Sequence, residues 1–121
     1  MKKKILICDD DQGILEMLEL ILDDGEHEVL TESNSLKVYD LLKTEKPDLL
    51  ILDLWMPVLS GDQITRHLRA NDTYKELPVL VMSASRDGEE IARRSGADAY
   101  LAKPFDINEL VEKVSSLTQA A

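Results

Sequence analysis

Four positions in this 121-residue chain carry residue types suited to metal and phosphoryl chemistry, and each directly follows a short apolar run. Asp9, Asp10 and Asp11 follow residues 5–8, Asp53 follows 49–52, Ser83 follows 79–82 and Lys103 follows 99–102. Three carboxylates held a few ångströms apart repel one another by roughly 4 kcal/mol per pair at an effective dielectric near 20, so they call for a cation. An all-oxygen set with no His or second Cys suits a hard divalent ion such as Mg²⁺, held by one or two carboxylates with open positions for water and phosphate. Lys103 adds a point charge for Asp53 or for an anion. Singly, each residue has an ordinary explanation. An Asp caps a helix, Asp53 ends a strand before Met56-Pro57, Ser83 fills a turn and Lys103 is solvated. A shared location is what would outweigh those explanations.

The elements around them predict that location. Apolar runs at 5–8, 29–31, 49–52, 79–82 and 99–102 alternate with helix-like stretches, the pattern of parallel strands joined by crossover helices. Four runs are continuous, as in strands covered on both faces, while the second, between His27 and Glu32, is more polar and suits an edge. Ile14, Leu15, Leu18, Ile21 and Leu22 mark one face of a first helix. Residues 35–43, 61–70 and 87–95 form the middle helices, and Leu110, Val111, Val114 and Leu117 mark the last. The fourth helix has little apolar surface beyond Ile91 and Ala92 and is expected to pack most loosely. The fold class is α/β, a doubly wound five-stranded parallel sheet. Its order, 2-1-3-4-5, is carried over from known sheets of this kind. All strand C-termini then lie on one rim, with the crevice between strands one and three, where the acidic loops face each other.

Composition narrows the function. With 44% hydrophobic and 31% charged residues the chain can bury a core, and its length suits one domain over 1–121. A net charge of −10 repels nucleic-acid backbones and anionic lipid, so neither direct nucleic acid nor a membrane is expected as partner. The single Cys8 closes no internal disulfide and reads as a core thiol of a reducing compartment. After Met1-Lys2-Lys3-Lys4 the apolar run is too short for a signal peptide, and a cytoplasmic protein is expected. His27 and His67 read as surface residues and Met17, Met56 and Met82 as core gap-fillers. Glu89, Glu90, Arg93 and Arg94 read as exposed helical ion pairs. Residues 115–121 read as a frayed helix end or the start of a tether.

The segments 5–11, 48–57 with Gly61, 79–84 and 96–105, in this order and spacing, resemble the receiver domain of bacterial two-component response regulators. The resemblance covers essentially the whole chain and implies a flavodoxin-like fold. It implies Asp53 as phosphoacceptor, attacking the phosphorus of a phosphohistidine. Asp10, Asp53 and the backbone carbonyl of Trp55 would bind Mg²⁺, with Asp9 acting through water. Lys103 and Ser83 would take phosphoryl oxygens. Ser83 and Tyr100 would form the switch, Tyr100 moving inward on phosphorylation and changing the surface of the fourth helix, fifth strand and fifth helix. Implied partners are a histidine kinase or histidine phosphotransfer protein, a downstream target and a phosphorylation-dependent homodimer. The Lys103-Pro104 bond resembles the family's cis peptide. Trp55 is bulky for its place and could shield the acyl phosphate from water. Ser83 lacks the methyl of the commoner threonine.

Three other functions fit parts of the pattern. An aspartyl phosphatase of haloacid dehalogenase type wants a second Asp as general acid where Trp55 stands. A flavin carrier wants a hydroxyl- and glycine-rich loop where Asp9-Asp10-Asp11 stands. An interaction module that is never phosphorylated would have no need of the four chemical groups.

Overall fold

The computed structural model describes residues 2–119. Five strands, β1 (Lys3–Cys8), β2 (His27–Glu32), β3 (Leu49–Asp53), β4 (Val79–Ser83) and β5 (Ala99–Ala102), form one sheet in the order β2-β1-β3-β4-β5. Every neighbouring pair is parallel, as the alternation requires. Five helices cross between or follow the strands: α1 (Gln12–Leu22), α2 (Val38–Glu45), α3 (Gly61–Arg69), α4 (Gly88–Ser95) and α5 (Ile107–Thr118).

The continuous runs are continuous because both sheet faces are covered. Side chains of a strand alternate between faces. Leu6, Cys8, Leu50, Leu52, Val79 and Val81 pack on one face with Val38, Leu42, Ile64, Leu68 and Ala92 of α2, α3 and α4. Ile5, Ile7, Leu49, Ile51, Leu80 and Met82 pack on the other with Leu15, Leu18 and Leu22 of α1 and Leu110 and Val114 of α5. Full burial of each Val, Leu, Ile or Met side chain among them contributes about 1.5–3 kcal/mol. The central β3 and β4 are buried throughout, whereas β2, at the edge, is half-exposed.

Several local expectations change. The second helix begins as a 3₁₀ turn over Ser35–Lys37, capped by the Asn34 side chain, before α2 takes over. Met17 is 38% exposed and fills no core gap, because it lies beside the Leu15–Leu18 stripe. His27 is no surface residue. Its ring is largely covered, with Nδ1 3.1 Å from Asp24 and Nε2 3.5 Å from the Thr118 hydroxyl. The fourth helix meets the sheet closely despite its few apolar residues, since Gly88, Ala92 and Ser95 face inward and small side chains allow a short approach. In the exposed cluster on that helix, Glu90 pairs with both Arg93 and Arg94. Of the terminal stretch, α5 runs to Thr118 and residues 120–121 lie outside the described part. No helix among the described residues is long and apolar enough to cross a membrane.

Candidate functional site

The rim at the strand C-termini gathers the acidic and basic groups singled out in the sequence. Cys8, at the end of β1, pairs with Leu52 of β3, so the residues following both strands emerge side by side. Asp9, Asp10 and Asp53 each place one carboxylate oxygen within 4.8 Å of the others. Lys103, just past β5, reaches across to them and donates to Asp9 Oδ2 at 2.7 Å and to Asp53 Oδ1 at 3.0 Å. The Lys103-Pro104 peptide is cis, and the backbone N–H of Lys103 donates to the Ser83 carbonyl at 2.8 Å.

The three adjacent aspartates divide their work. Asp11 caps α1, its Oδ1 accepting the N–H groups of Gly13 at 2.9 Å and Ile14 at 3.3 Å. Asp9 is buried, with Oδ1 accepting the Asp11 N–H and Oδ2 accepting Lys103, so both of its oxygens are engaged. Asp10 is exposed and, among the described residues, receives no hydrogen bond, as does the second oxygen of Asp53. Those free carboxylate oxygens are the donors a hard divalent cation requires, and the excess of three carboxylates over one ammonium leaves charge for it to neutralise.

Burial raises the Asp53 carboxyl above the ordinary carboxylate range; Lys103 pulls it down, while the charges of Asp9 and Asp10 push it further up. Burial pulls Lys103 down, but its bonds to Asp9 and Asp53 outweigh that and hold the ammonium above its usual value. Burial, then the charges of Glu32, Asp9 and Asp53, push the Cys8 thiol up to about 12, which makes it an inert core thiol.

Ser83 and Tyr100 are neighbours. The Tyr100 hydroxyl donates to the Ser83 carbonyl at 3.0 Å, and a Cβ on Gly88 would stand 2.5 Å from that hydroxyl and 2.9 Å from the Ser83 Cβ. Gly88 therefore leaves the space in which the tyrosine rests. The Ser83 hydroxyl accepts the Ser85 N–H at 2.9 Å and lies 2.8 Å from the Ser85 hydroxyl, which in turn accepts the indole N–H of Trp55 at 3.1 Å. Trp55 is 52% exposed and bridges two loops over the rim. Neither Ser85 nor Gly88 was legible as a site residue, because a serine in a turn and a glycine at a helix start are common and only packing gives them neighbours. Gly61 was legible by resemblance alone. Its amide donates to the Leu54 carbonyl at 2.8 Å, and a Cβ there would stand 2.5 Å from the Asp53 carbonyl oxygen.

A profile of the response regulator receiver domain matches residues 5–115. The chain belongs to this family. This receiver domain is similar to the response regulator MprA of Mycobacterium bovis, 37% identical over 120 residues that make up 97% of this chain and 51% of that protein. It thus spans about half the length of MprA. It is 27% identical over 118 residues to the polar-differentiation response regulator DivK of Brucella anthropi, 96% of each chain. The solved signal receiver domain of a response regulator from Bermanella marisrubri superposes with a TM-score of 0.87 at 34% identity, covering 97% of this chain and 98% of that one.

Proposed function

We propose that this receiver domain accepts a phosphoryl group on Asp53 from a phosphohistidine of a histidine kinase or phosphotransfer protein. The observation that carries the proposal is the convergence of Asp9, Asp10, Asp53 and Lys103 on one rim. An Asp53 carboxylate oxygen attacks phosphorus, an O–P bond forms, and the P–N bond to the histidine breaks with its electron pair returning to the imidazole. Asp10, Asp53 and the Trp55 carbonyl would hold Mg²⁺, with Asp9, whose oxygens already have donors, acting through water. The ion would supply positive charge against the phosphoryl oxygens as theirs develops. Lys103 turns from Asp53 toward the incoming phosphoryl oxygens while keeping its bond to Asp9. The Ser83 hydroxyl donates to another of those oxygens, so both groups serve by position and charge.

The switch is carried by Ser83 and Tyr100. When the Ser83 hydroxyl leaves Ser85 for the phosphoryl group, the bonds around Tyr100 rearrange and the face of α4, β5 and α5 changes for a downstream target or for a second copy of the chain. The work is placed in the cytoplasm, where the kinase's phosphohistidine is generated. Incubation with Mg²⁺ and acetyl phosphate, followed by intact mass, tests the reading. A gain of one phosphoryl group that disappears in Asp53→Asn is expected. No gain, or a gain that survives the substitution, refutes it and returns the chain to a module that is never phosphorylated.

A further inference from the structure

The loop between β3 and α3 carries a strained residue held from outside. Val58 has φ +72°, a left-handed conformation that a β-branched side chain rarely adopts. Its side chain is 72% exposed, so burial does not offset the strain. The hydroxyl of Ser35, at the start of the 3₁₀ turn before α2, brackets this residue. It donates to the Pro57 carbonyl at 2.8 Å and accepts the Leu59 N–H at 3.3 Å. Ser35 is itself buried, 3% exposed. Among the described residues it is the one side chain outside the loop that hydrogen-bonds the backbone of residues 54–59. The Leu59 N–H also reaches the Pro57 carbonyl at 2.9 Å, closing a tight turn around Val58.

We infer that Ser35 is a positioning residue for the metal site, acting through Pro57 and Leu59 to hold the loop that presents the Trp55 carbonyl. The inference rests on the proposed binding of Mg²⁺ by Asp10, Asp53 and that carbonyl. Without the hydroxyl, the Pro57 carbonyl and Leu59 amide lose a buried partner. Val58 is then free to relax to negative φ, and the backbone between Trp55 and Leu59 turns with it. Groups that orient a metal ligand without touching the metal typically change affinity by tenfold or more.

The test is Mg²⁺ titration followed by the emission of Trp55, the single tryptophan. Ser35→Ala is expected to weaken binding on the order of tenfold. Val58→Gly added to it is expected to recover most of the loss, because glycine adopts positive φ without strain. This rescue separates positioning from general loss of stability, which Val58→Gly would not repair at the metal. Should Ser35→Ala fail to fold, Val58→Gly alone serves. It must bind Mg²⁺ as the natural chain does, and its Leu59 amide must remain protected from hydrogen exchange while Ser35 is present. Unchanged affinity in Ser35→Ala, loss without rescue, or an unprotected Leu59 amide overturns the inference and leaves the phosphoacceptor reading intact. A natural chain that takes up no Mg²⁺ overturns both.

Discussion

Neutralising Asp53 without changing its shape should stabilise the metal-free fold even as it removes the proposed phosphoacceptor. At an effective dielectric of 20, each carboxylate neighbour at the outer limit of 4.8 Å repels Asp53 by about 3.5 kcal/mol, while Lys103 at 3.0 Å attracts it by about 5.5 kcal/mol. The two repulsions exceed the attraction by about 1–2 kcal/mol. Solvent screening at the exposed Asp10 trims that excess, and the desolvation of Asp53, 7% exposed, restores it. Asparagine keeps an oxygen for Lys103 and abolishes the charge. Asp53→Asn is therefore expected to gain about 1–2 kcal/mol at neutral pH in EDTA, a rise in Tm of about 3–8 °C for a domain of this size. The pH dependence follows from the raised carboxyl. A carboxyl whose folded value lies above its unfolded one costs stability once ionised, and that cost disappears as pH falls through the folded value. The two proteins should thus converge on acidification. Millimolar Mg²⁺ should raise the natural chain more than the variant, since in the proposed site the ion would lose a charged ligand in the latter. Thermal unfolding by circular dichroism reads all of these. A variant that melts lower in EDTA at neutral pH, or a gap that widens in acid, refutes the electrostatic account.

Trp55→Ala is expected to shorten the lifetime of the phosphorylated state, measured as the decay of the mass gain after acetyl phosphate is removed. An unchanged or longer lifetime would show that the indole does not shield the acyl phosphate. Gly88→Ala is expected to move the Tyr100 hydroxyl outward from Ser83, since the new Cβ would stand 2.5 Å from it; loss of the nuclear Overhauser contact between the Tyr100 ring and residue 88 checks this. The Arg69 guanidinium ties the end of α3 to the carbonyls of Leu77 at 2.9 Å and Gly96 at 2.8 Å and to Asp98 at 2.8 Å. Arg69→Ala should lower stability by about 2–3 kcal/mol in urea unfolding, because it strips charged donors from partly buried carbonyls.

The sequence by itself determined the α/β class, the five strands and the rim on which Asp9, Asp10, Asp53, Ser83 and Lys103 meet. Those features follow from short-range patterns. A strand buried on both faces must be apolar throughout, as 49–52 is, and parallel strands must release their following residues at one edge. Even the division of the aspartates was partly readable, since one Asp suffices to cap α1. Only the tertiary structure decided which one caps, how closely Lys103 approaches Asp9 and Asp53, and why Gly88 and Ser35 matter. His27 shows the same divide, for its ring meets the Thr118 hydroxyl of α5, a neighbour that its own stretch of chain does not announce. Contacts between groups far apart in the chain, such as Ser35 with the Pro57 carbonyl 22 residues on or Lys103 with Asp9 94 residues back, leave no periodicity in a sequence. They are set by the twist and packing of the sheet, which bring distant loops to within hydrogen-bonding distance.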